Sequence, residues 1–301
     1  MNIEEIKTAA SKLVVVMPEI RIYGGKHALQ PKDLGDLVSS LPPKDLAELG
    51  TLRALSPLDI APFKALRQRA IRLLFSAGPR FMGGYALSED KVPKVGKELD
   101  ALQEKFNEHK STLLNDLEVR NTAWADAHAS WASVIRAKQP TAEYVSDNLF
   151  FGIRAFRVTP DDVIKNNHLN EELSGLPGQL LSEMATVAHD LWEESLKGKD
   201  KVKRQVLGTI RTLRNKADGL AFLDVRVLNL VRRMDEVLGH IAQEGPLTGA
   251  DLMAVTGLVL LIADTDKLRE DVVASDEDDE EPPAVATSDT SQGYAMAAAS
   301  V

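Results

Sequence analysis

The spacing of apolar residues predicts helix over most of the chain. Between residues 57 and 77 the apolar positions recur every three or four residues, which is typical of one buried helix face. From Val92 to Val119 a nearly unbroken heptad-like pattern predicts a single long helix of the coiled-coil type. Similar stripes predict further helices in the C-terminal half, over residues 180–191, 202–217, 220–241 and 248–262.

Two stretches favour β-strand instead. Residues 12–23 are β-branched and apolar, but they contain Pro18, so we predict a strand that is interrupted or bulged at that proline. Residues 149–158 break the helical period and alternate, which predicts a second strand. Since isolated strands are only marginally stable, we expect these two to pair with each other.

These patterns together predict a mainly α fold, with a long-helix bundle and a small two-stranded β element. We divide the chain into an N-terminal region, 1–160, which holds the sheet and the long helix, and a C-terminal helical bundle region, 161–265. The remaining residues, 266–301, are first acidic and then rich in Pro, Ala, Ser and Thr, which predicts a disordered tail.

Charge is distributed unevenly along the 301 residues. The net charge is −9, and residues 264–301 account for all of it, with eleven acidic residues against two basic ones. Residues 197–233 instead carry eleven basic residues and three acidic ones. This basic segment provides the candidate interaction surface, formed by Lys197, Lys199, Lys201, Lys203, Arg204, Arg211, Arg214 and Lys216.

Three interpretations of the basic segment stay open. Its charges could form solvated helix faces, contact a protein or the acidic tail, or bind a phosphate backbone. No aromatic residue lies among the first basic run, so that run offers no platform for stacking bases. Nucleic acid is therefore the less favoured ligand.

The chain offers no recognisable catalytic, cofactor-binding or metal-binding pattern. It contains no cysteine, which excludes disulfides, thiolate catalysis and cysteine-based zinc sites. None of its six histidines forms an HExxH pattern, and no G-x-S-x-G elbow is present. We expect a non-enzymatic protein without a cofactor. The absence of a long apolar run and the acidic N-terminus predict a cytoplasmic protein that does not enter membranes.

The stretch "GPRFMGGYALSEDKV", residues 78–92, lies between two predicted helices. A phosphate loop would need a preceding strand and a following Gly-Lys-Ser/Thr, and both are missing here. We therefore predict a junction in which Gly83 and Gly84 let the chain reverse, while Phe81 and Tyr85 pack the turn. The role of Arg80 stays open.

Several separated stretches together resemble a known bacterial and phage family, domain of unknown function 3150. They are "IRIYGGKHALQPKDLG", "LPPKDLAELG", "LRALSPLDIAPFKALRQRA", "GPRFMGGYALSEDKV" and "FGIRAFRVTP", and the resemblance covers roughly residues 10 to 265. The junction with Arg80, Phe81, Gly83, Gly84 and Tyr85 is the clearest part of this signature.

The resemblance implies a setting rather than a chemistry. Family members occur in phages, prophages and mobile elements, often encoded near MoxR-type AAA+ ATPases and proteins with von Willebrand factor A (VWA) domains. It implies no catalytic residue for this chain. We expect a helical interaction or assembly protein that partners such an ATPase or VWA protein, with a homo-oligomer as a further expectation. The alternative is a nucleic-acid-binding protein that uses residues 197–233 and is modulated by the acidic tail.

Overall fold

The computed structural model describes residues 3–34 and 49–264, and these residues are mainly helical. The predicted tail, 266–301, lies outside the described residues. The helices are α1 Ile3–Lys12, α2 Pro57–Ala77, α3 Val92–Asn115, α4 Leu117–Asp126, α5 Ala132–Ala137, α6 Ala142–Asp147, α7 Pro160–Lys165, α8 Asn167–Leu191, α9 Val206–Asp218, α10 Val225–His240 and α11 Gly249–Ala263. None of them is long and apolar enough to cross a membrane.

The strands form one four-stranded sheet and two short two-stranded ladders within the described residues. The four-stranded sheet has the order β4-β5-β1-β6, and all its neighbours are antiparallel. The strands are β1 Leu13–Arg21, β2 Lys26–Ala28, β3 Thr51–Arg53, β4 Arg80–Phe81, β5 Gly84–Ser88, β6 Phe150–Arg157, β7 Lys201–Val202 and β8 Leu247–Thr248.

The central strand β1 is buried on both faces because its run of apolar residues supplies two cores. Leu13 and Val15 belong to a core formed with α1 and the helices from α7 to α11. Val14 and Val16 point to the opposite face, where they join a core formed with α2 and α3. Successive side chains of a strand alternate between faces, so one short segment holds both halves of the molecule together.

The predicted pairing of the two strands is confirmed, and the sheet is larger than expected. β1 and β6 pair along eight positions, from Val14 opposite Arg157 to Arg21 opposite Phe150. Residues 80–88 add β4 and β5 to the other side of β1. The sequence carries no strand signal for this hairpin, because its arms are too short to show a strand period.

The predicted interruption at Pro18 is wrong, since β1 continues through it to Arg21. The ladder with β5 ends at Val16, whose carbonyl faces β5, near Gly84. Backbone groups alternate in direction along a strand, so the backbone nitrogen of Pro18, two residues after Val16, points to the same side as the Val16 carbonyl. The strand β5 has already ended at that point. The missing N–H of the proline is therefore tolerated.

Two helix predictions need correction. The predicted helix over 92–119 ends at Asn115, and α4 starts separately at Leu117. The predicted helix over 202–217 starts later than expected, because Lys201 and Val202 pair with Thr248 and Leu247 as β7 and β8. This short ladder delays the start of the next helix until Val206.

Candidate interaction site

The junction at residues 78–92 contains a tight β-hairpin rather than a simple turn between helices. Met82 and Gly83 connect β4 to β5, with positive φ angles of 49° and 75°. Two successive positive φ angles are the geometry of a type I′ turn, which suits the twist of paired strands. The predicted reversal at the glycines is correct, and the arms on either side of it are strands.

Two further glycines let the hairpin lie close against its neighbours. A Cβ on Gly78 would lie 1.8 Å from the carbonyl oxygen of Ala86, and one on Gly84 would lie 2.6 Å from that of Val16. Real Cβ atoms do not approach that closely, so a side chain at either position would push the hairpin away. Close backbone approach is thus the reason for both glycines.

A buried ion pair anchors the hairpin to the helices behind it. The Glu183 carboxylate on α8 accepts a hydrogen bond from the backbone N–H of Arg80, at 3.1 Å, and one from Lys216 Nζ on α9, at 2.7 Å. The Lys216 ammonium also lies 3.7 Å from the ring centroid of Phe75 on α2. Burial lowers the pKa of Lys216, while its bond to Glu183 opposes that shift. Three helices therefore position one strand of the hairpin.

A cleft of about 710 Å³ opens beside this hairpin. Its walls are α2, with Arg67 and Ile71, and α8, with Gly175 and Gln179. The edge of β1 also lines the cleft, at Pro18 and Ile20, beyond the point where β5 ends. The five junction residues that form the clearest part of the family signature line it as well, namely Arg80, Phe81, Gly83, Gly84 and Tyr85.

The cleft combines apolar surface with positive charge. Phe81 and Tyr85 are buried in its wall, whereas Met82 at the tip of the hairpin is 39% exposed. The side chains of Arg67 and Arg80 are directed to solvent and form no ion pair within the described residues. Glu172 is the acidic residue among those that line the cleft. The site can therefore hold an apolar group next to a negative one.

Much of the predicted basic surface is already committed to contacts inside the molecule. Lys197 pairs with Glu193 at 2.8 Å, and Arg204 donates to the carbonyl of Ala242. Arg214 forms ion pairs with Asp235 and Asp218, so its pKa is raised, chiefly by the hydrogen bond to Asp235. The sequence of the basic segment does not predict these contacts, because each partner lies on the preceding or following turn or on another element.

Lys216 does not belong to a surface at all, which corrects its place in the predicted set. Only 2% of this residue is exposed, because it anchors the hairpin from the interior. Lys199, Lys201 and Lys203 line a separate cavity of about 520 Å³. Arg211 is exposed on α9. The eight residues thus form several local groups rather than one continuous face.

The exposed face of α2 carries a group of cations outside the basic segment predicted from the sequence. Lys64, Arg67, Arg69 and Arg72 are exposed, and within the described residues none of them forms an ion pair. The acidic residue of α2, Asp59, binds Arg120 at 2.6 Å instead. The signal was present in the sequence, because these four positions fall outside the apolar stripe of the helix.

The structure groups no metal-binding residues in the part of the chain that it describes. His27 is instead hydrogen-bonded to the hydroxyl of Tyr23, at 2.9 Å. Burial, together with the neighbouring Tyr144, raises the pKa of Tyr23 to about 12. This pair lies at the end of β1 and packs the chain there.

One comparison with known proteins gives a match. The family model described as "Protein of unknown function (DUF3150)" matches residues 10–264. No curated protein and no solved structure matches the chain. The match covers both cores, the hairpin and the cleft, and it confirms the family to which the sequence was compared.

Proposed function

The chain belongs to the DUF3150 family, and from that premise we propose that it is a non-enzymatic interaction and assembly protein of a phage or mobile element. It acts in the host cytoplasm as an adaptor or partner of a MoxR-type AAA+ ATPase or a VWA-domain protein. The observation that carries this proposal is the cleft, because the junction residues 80–85, the clearest part of the family signature, all line it.

The composition of the cleft suits a protein partner. Arginine, methionine and aromatic residues are enriched at protein interfaces, and Arg67, Arg80 and Met82 supply the first two types here. The apolar side chains of Ile20 and Ile71 lie among the same lining residues. A partner segment with an acidic residue next to an apolar one would match both features.

The anchoring of the hairpin favours tight binding. Glu183 holds the backbone of Arg80, and Gly84 lies directly against Val16, so the wall of the cleft is formed before any partner arrives. A preorganised site loses less conformational entropy on binding than a loop that must first become ordered.

Filling the cleft tests the proposal. Gly175 lies on α8, lines the cleft and has no atom within 4 Å of a Cβ built on it, so Gly175→Phe places a ring in the cleft without disturbing the fold. The matched control is Gly239→Phe on α10, which is equally open and outside the cleft. We expect Gly175→Phe to weaken binding at least about tenfold, the effect of losing one central contact region, and Gly239→Phe to leave it unchanged.

The measurement is the affinity of each variant, by calorimetry, for a purified MoxR-type ATPase and for a purified VWA-domain protein. Equal melting temperatures of the two variants would show that both are folded. If neither candidate partner binds the wild-type protein, the adaptor role is wrong. If both glycine variants bind as the wild type does, the cleft is not the docking site.

Nucleic acid remains a second candidate ligand, and the unpaired cations favour α2 over residues 197–233 as its site. Lys64, Arg69 and Arg72 are exposed on one helix and free of ion pairs in the described region, whereas Arg214 and Lys216 are paired internally. A helix face with clustered cations is the electrostatic footprint of phosphate-backbone binding.

Two matched double variants separate these surfaces. Arg69→Gln with Arg72→Gln removes two of the exposed α2 cations outside the cleft, and Lys201→Gln with Lys203→Gln removes two cations from the predicted segment. Each lost phosphate contact lowers the slope of log K against log salt by about 0.9 for duplex DNA. We expect the α2 variant alone to lower this slope. Binding that does not depend on salt would rule out the nucleic-acid role.

A further inference from the structure

Strand β6 forms an open edge of the four-stranded sheet. It lies last in the strand order, and within the described residues no strand pairs with its outer side. Residues 154–157 are exposed, and Phe156 has 39% of its surface accessible. The strand contains no proline, which is a common means of blocking such an edge. Its two exposed arginines, Arg154 and Arg157, are each paired with an acidic residue of the same chain, Glu19 and Glu89, which reduces their repulsion toward another strand.

The directions of the backbone groups of β6 can be deduced from its neighbours. The side chain of Gln103 donates to the carbonyl oxygen of Phe151 at 2.7 Å, so this carbonyl faces away from β1. Directions alternate along a strand, and therefore the N–H and C=O groups of Ile153, Ala155 and Arg157 also face outward. These three residues present six hydrogen-bonding groups along the open edge.

We propose that β6 pairs antiparallel with β6 of a second copy of this chain, about a two-fold axis that passes through Ala155. In this register Ala155 lies opposite itself, and Ile153 lies opposite Arg157. All six outward groups then find partners. The four-stranded sheet of each protomer continues into the other across the axis.

The register of this pairing follows from the charges of the side chains and from the directions in which the backbone N–H and C=O groups point. An antiparallel ladder pairs outward-facing residues with each other, so the axis must pass through a residue. An axis through Arg154 would place two arginines directly opposite each other, which is unfavourable. An axis through Ile153 would involve Phe151, whose carbonyl Gln103 already occupies. An axis through Phe156 would place Ile153 opposite Thr159, beyond the end of β6, and would leave the outward groups of Ile153 without strand partners. The axis through Ala155 avoids all three problems.

The same register creates a favourable side-chain contact. Arg154 lies opposite Phe156 of the other copy, and the symmetry forms this pair twice. A guanidinium next to an aromatic ring gains cation–π attraction. In its own chain Arg154 is bonded to Glu19 and still has 72% of its side chain exposed, so its guanidinium is accessible to the ring of a second copy. A second copy of this strand therefore fits the edge in both charge and hydrogen bonding.

A single cysteine reports the register directly, because the native chain contains none. Opposing Cα atoms in a hydrogen-bonded antiparallel pair lie about 5.5 Å apart, a distance that a disulfide spans. Ala155→Cys should therefore give a covalent dimer under mild oxidation. Arg157→Cys, on the same exposed edge, should not crosslink with itself, because position 157 lies opposite position 153.

A proline tests the hydrogen bonds. The N–H of Ala155 faces outward, so Ala155→Pro removes a bond to the second copy and none to β1, whereas Ala155→Thr keeps the N–H. Light scattering over a range of concentrations should show a dimer for the wild type and the threonine variant. The dimerisation constant of the proline variant should be weaker by at least about tenfold, as expected when a strand edge loses its donor.

Two results would overturn the inference. One is a wild-type protein that stays monomeric at every concentration. The other is crosslinking of Arg157→Cys that is as fast as that of Ala155→Cys, which would place a different surface or register at the contact. If the proline variant fails to fold, the crosslinking of Ala155→Cys still tests the proposed pairing, because this variant leaves the backbone N–H of the strand in place.

Discussion

At the scale of single residues, Lys216 shows how the fold changes the meaning of a charge. In the sequence it is one member of a basic run on a helix. In the structure it is buried, bonded to Glu183 and packed on Phe75. Breaking a buried pair leaves one charge without compensation, so such residues stabilise the fold only together. Here the pair determines where the hairpin lies.

The lowered pKa of Lys216 predicts how stability depends on pH. Between the folded-state pKa and the ordinary value of 10.5, the unfolded chain binds a proton that the native protein does not. The free energy of unfolding therefore rises with pH across that window. Lys216→Met removes this contribution and should flatten the rise.

Urea unfolding of both proteins at several values of pH between 8 and 10 measures this difference. Lys91, whose pKa is also lowered by burial, is present in both and contributes the same slope to each. The interval stops at pH 10 because the pKa of Tyr23 is raised from 10.0 to about 12 in the folded protein. Above pH 10 the unfolded chain loses this proton first, so the free energy of unfolding falls as the pH rises. Identical slopes for the two proteins would show that Lys216 is not desolvated.

At the scale of elements, the β4–β5 hairpin has one residue that is poorly suited to its conformation. Met82 adopts φ 49°, a left-handed conformation that costs most residues about 1–2 kcal/mol and that asparagine tolerates better. Met82→Asn should therefore raise the free energy of unfolding by about 0.5–1 kcal/mol.

Denaturant unfolding measures this gain, with Met253→Asn as the control. Met253 is also exposed but lies within α11, where asparagine is a poorer helix former than methionine, so this variant should be slightly less stable. A Met82→Asn protein that is no more stable than the wild type would mean that the methionine side chain makes a compensating contact.

At the scale of the whole molecule, β1 joins two cores that lie on opposite faces of one sheet. Val14 packs with α2 and α3, while Val15 packs with the C-terminal helices. The predicted regions 1–160 and 161–265 therefore share a strand. Ala9 and Ala10 of α1 also pack in the C-terminal core, although they lie at the N-terminal end of the sequence.

This sharing predicts one cooperative unfolding transition. Val14→Ala and Val15→Ala each remove buried methyl groups from a different core, and each should lower the free energy of unfolding by about 2 kcal/mol. Both should shift the same transition, whether it is followed by circular dichroism or by the fluorescence of the three tryptophans, of which Trp192 packs against the C-terminal core. Two transitions, each sensitive to one substitution, would show that the two regions unfold independently.

The sequence by itself determined the features that depend on local periodicity. The 3.6-residue spacing located α2, α3 and the C-terminal helices, and the β-branched run and the alternating run located β1 and β6. Positive-φ turn chemistry located the reversal at Gly83. Each of these follows from neighbouring residues, so no knowledge of the rest of the chain was needed.

Only the tertiary structure decided which charges are exposed and which are paired. Glu183 and Lys216 lie 33 residues apart and meet only because α8 and α9 pack together. The cations of α2 form no ion pair within the described residues, and the acid of that helix, Asp59, pairs with Arg120 from another helix. The cleft and the open edge of β6 likewise depend on contacts between distant segments, which local patterns do not encode.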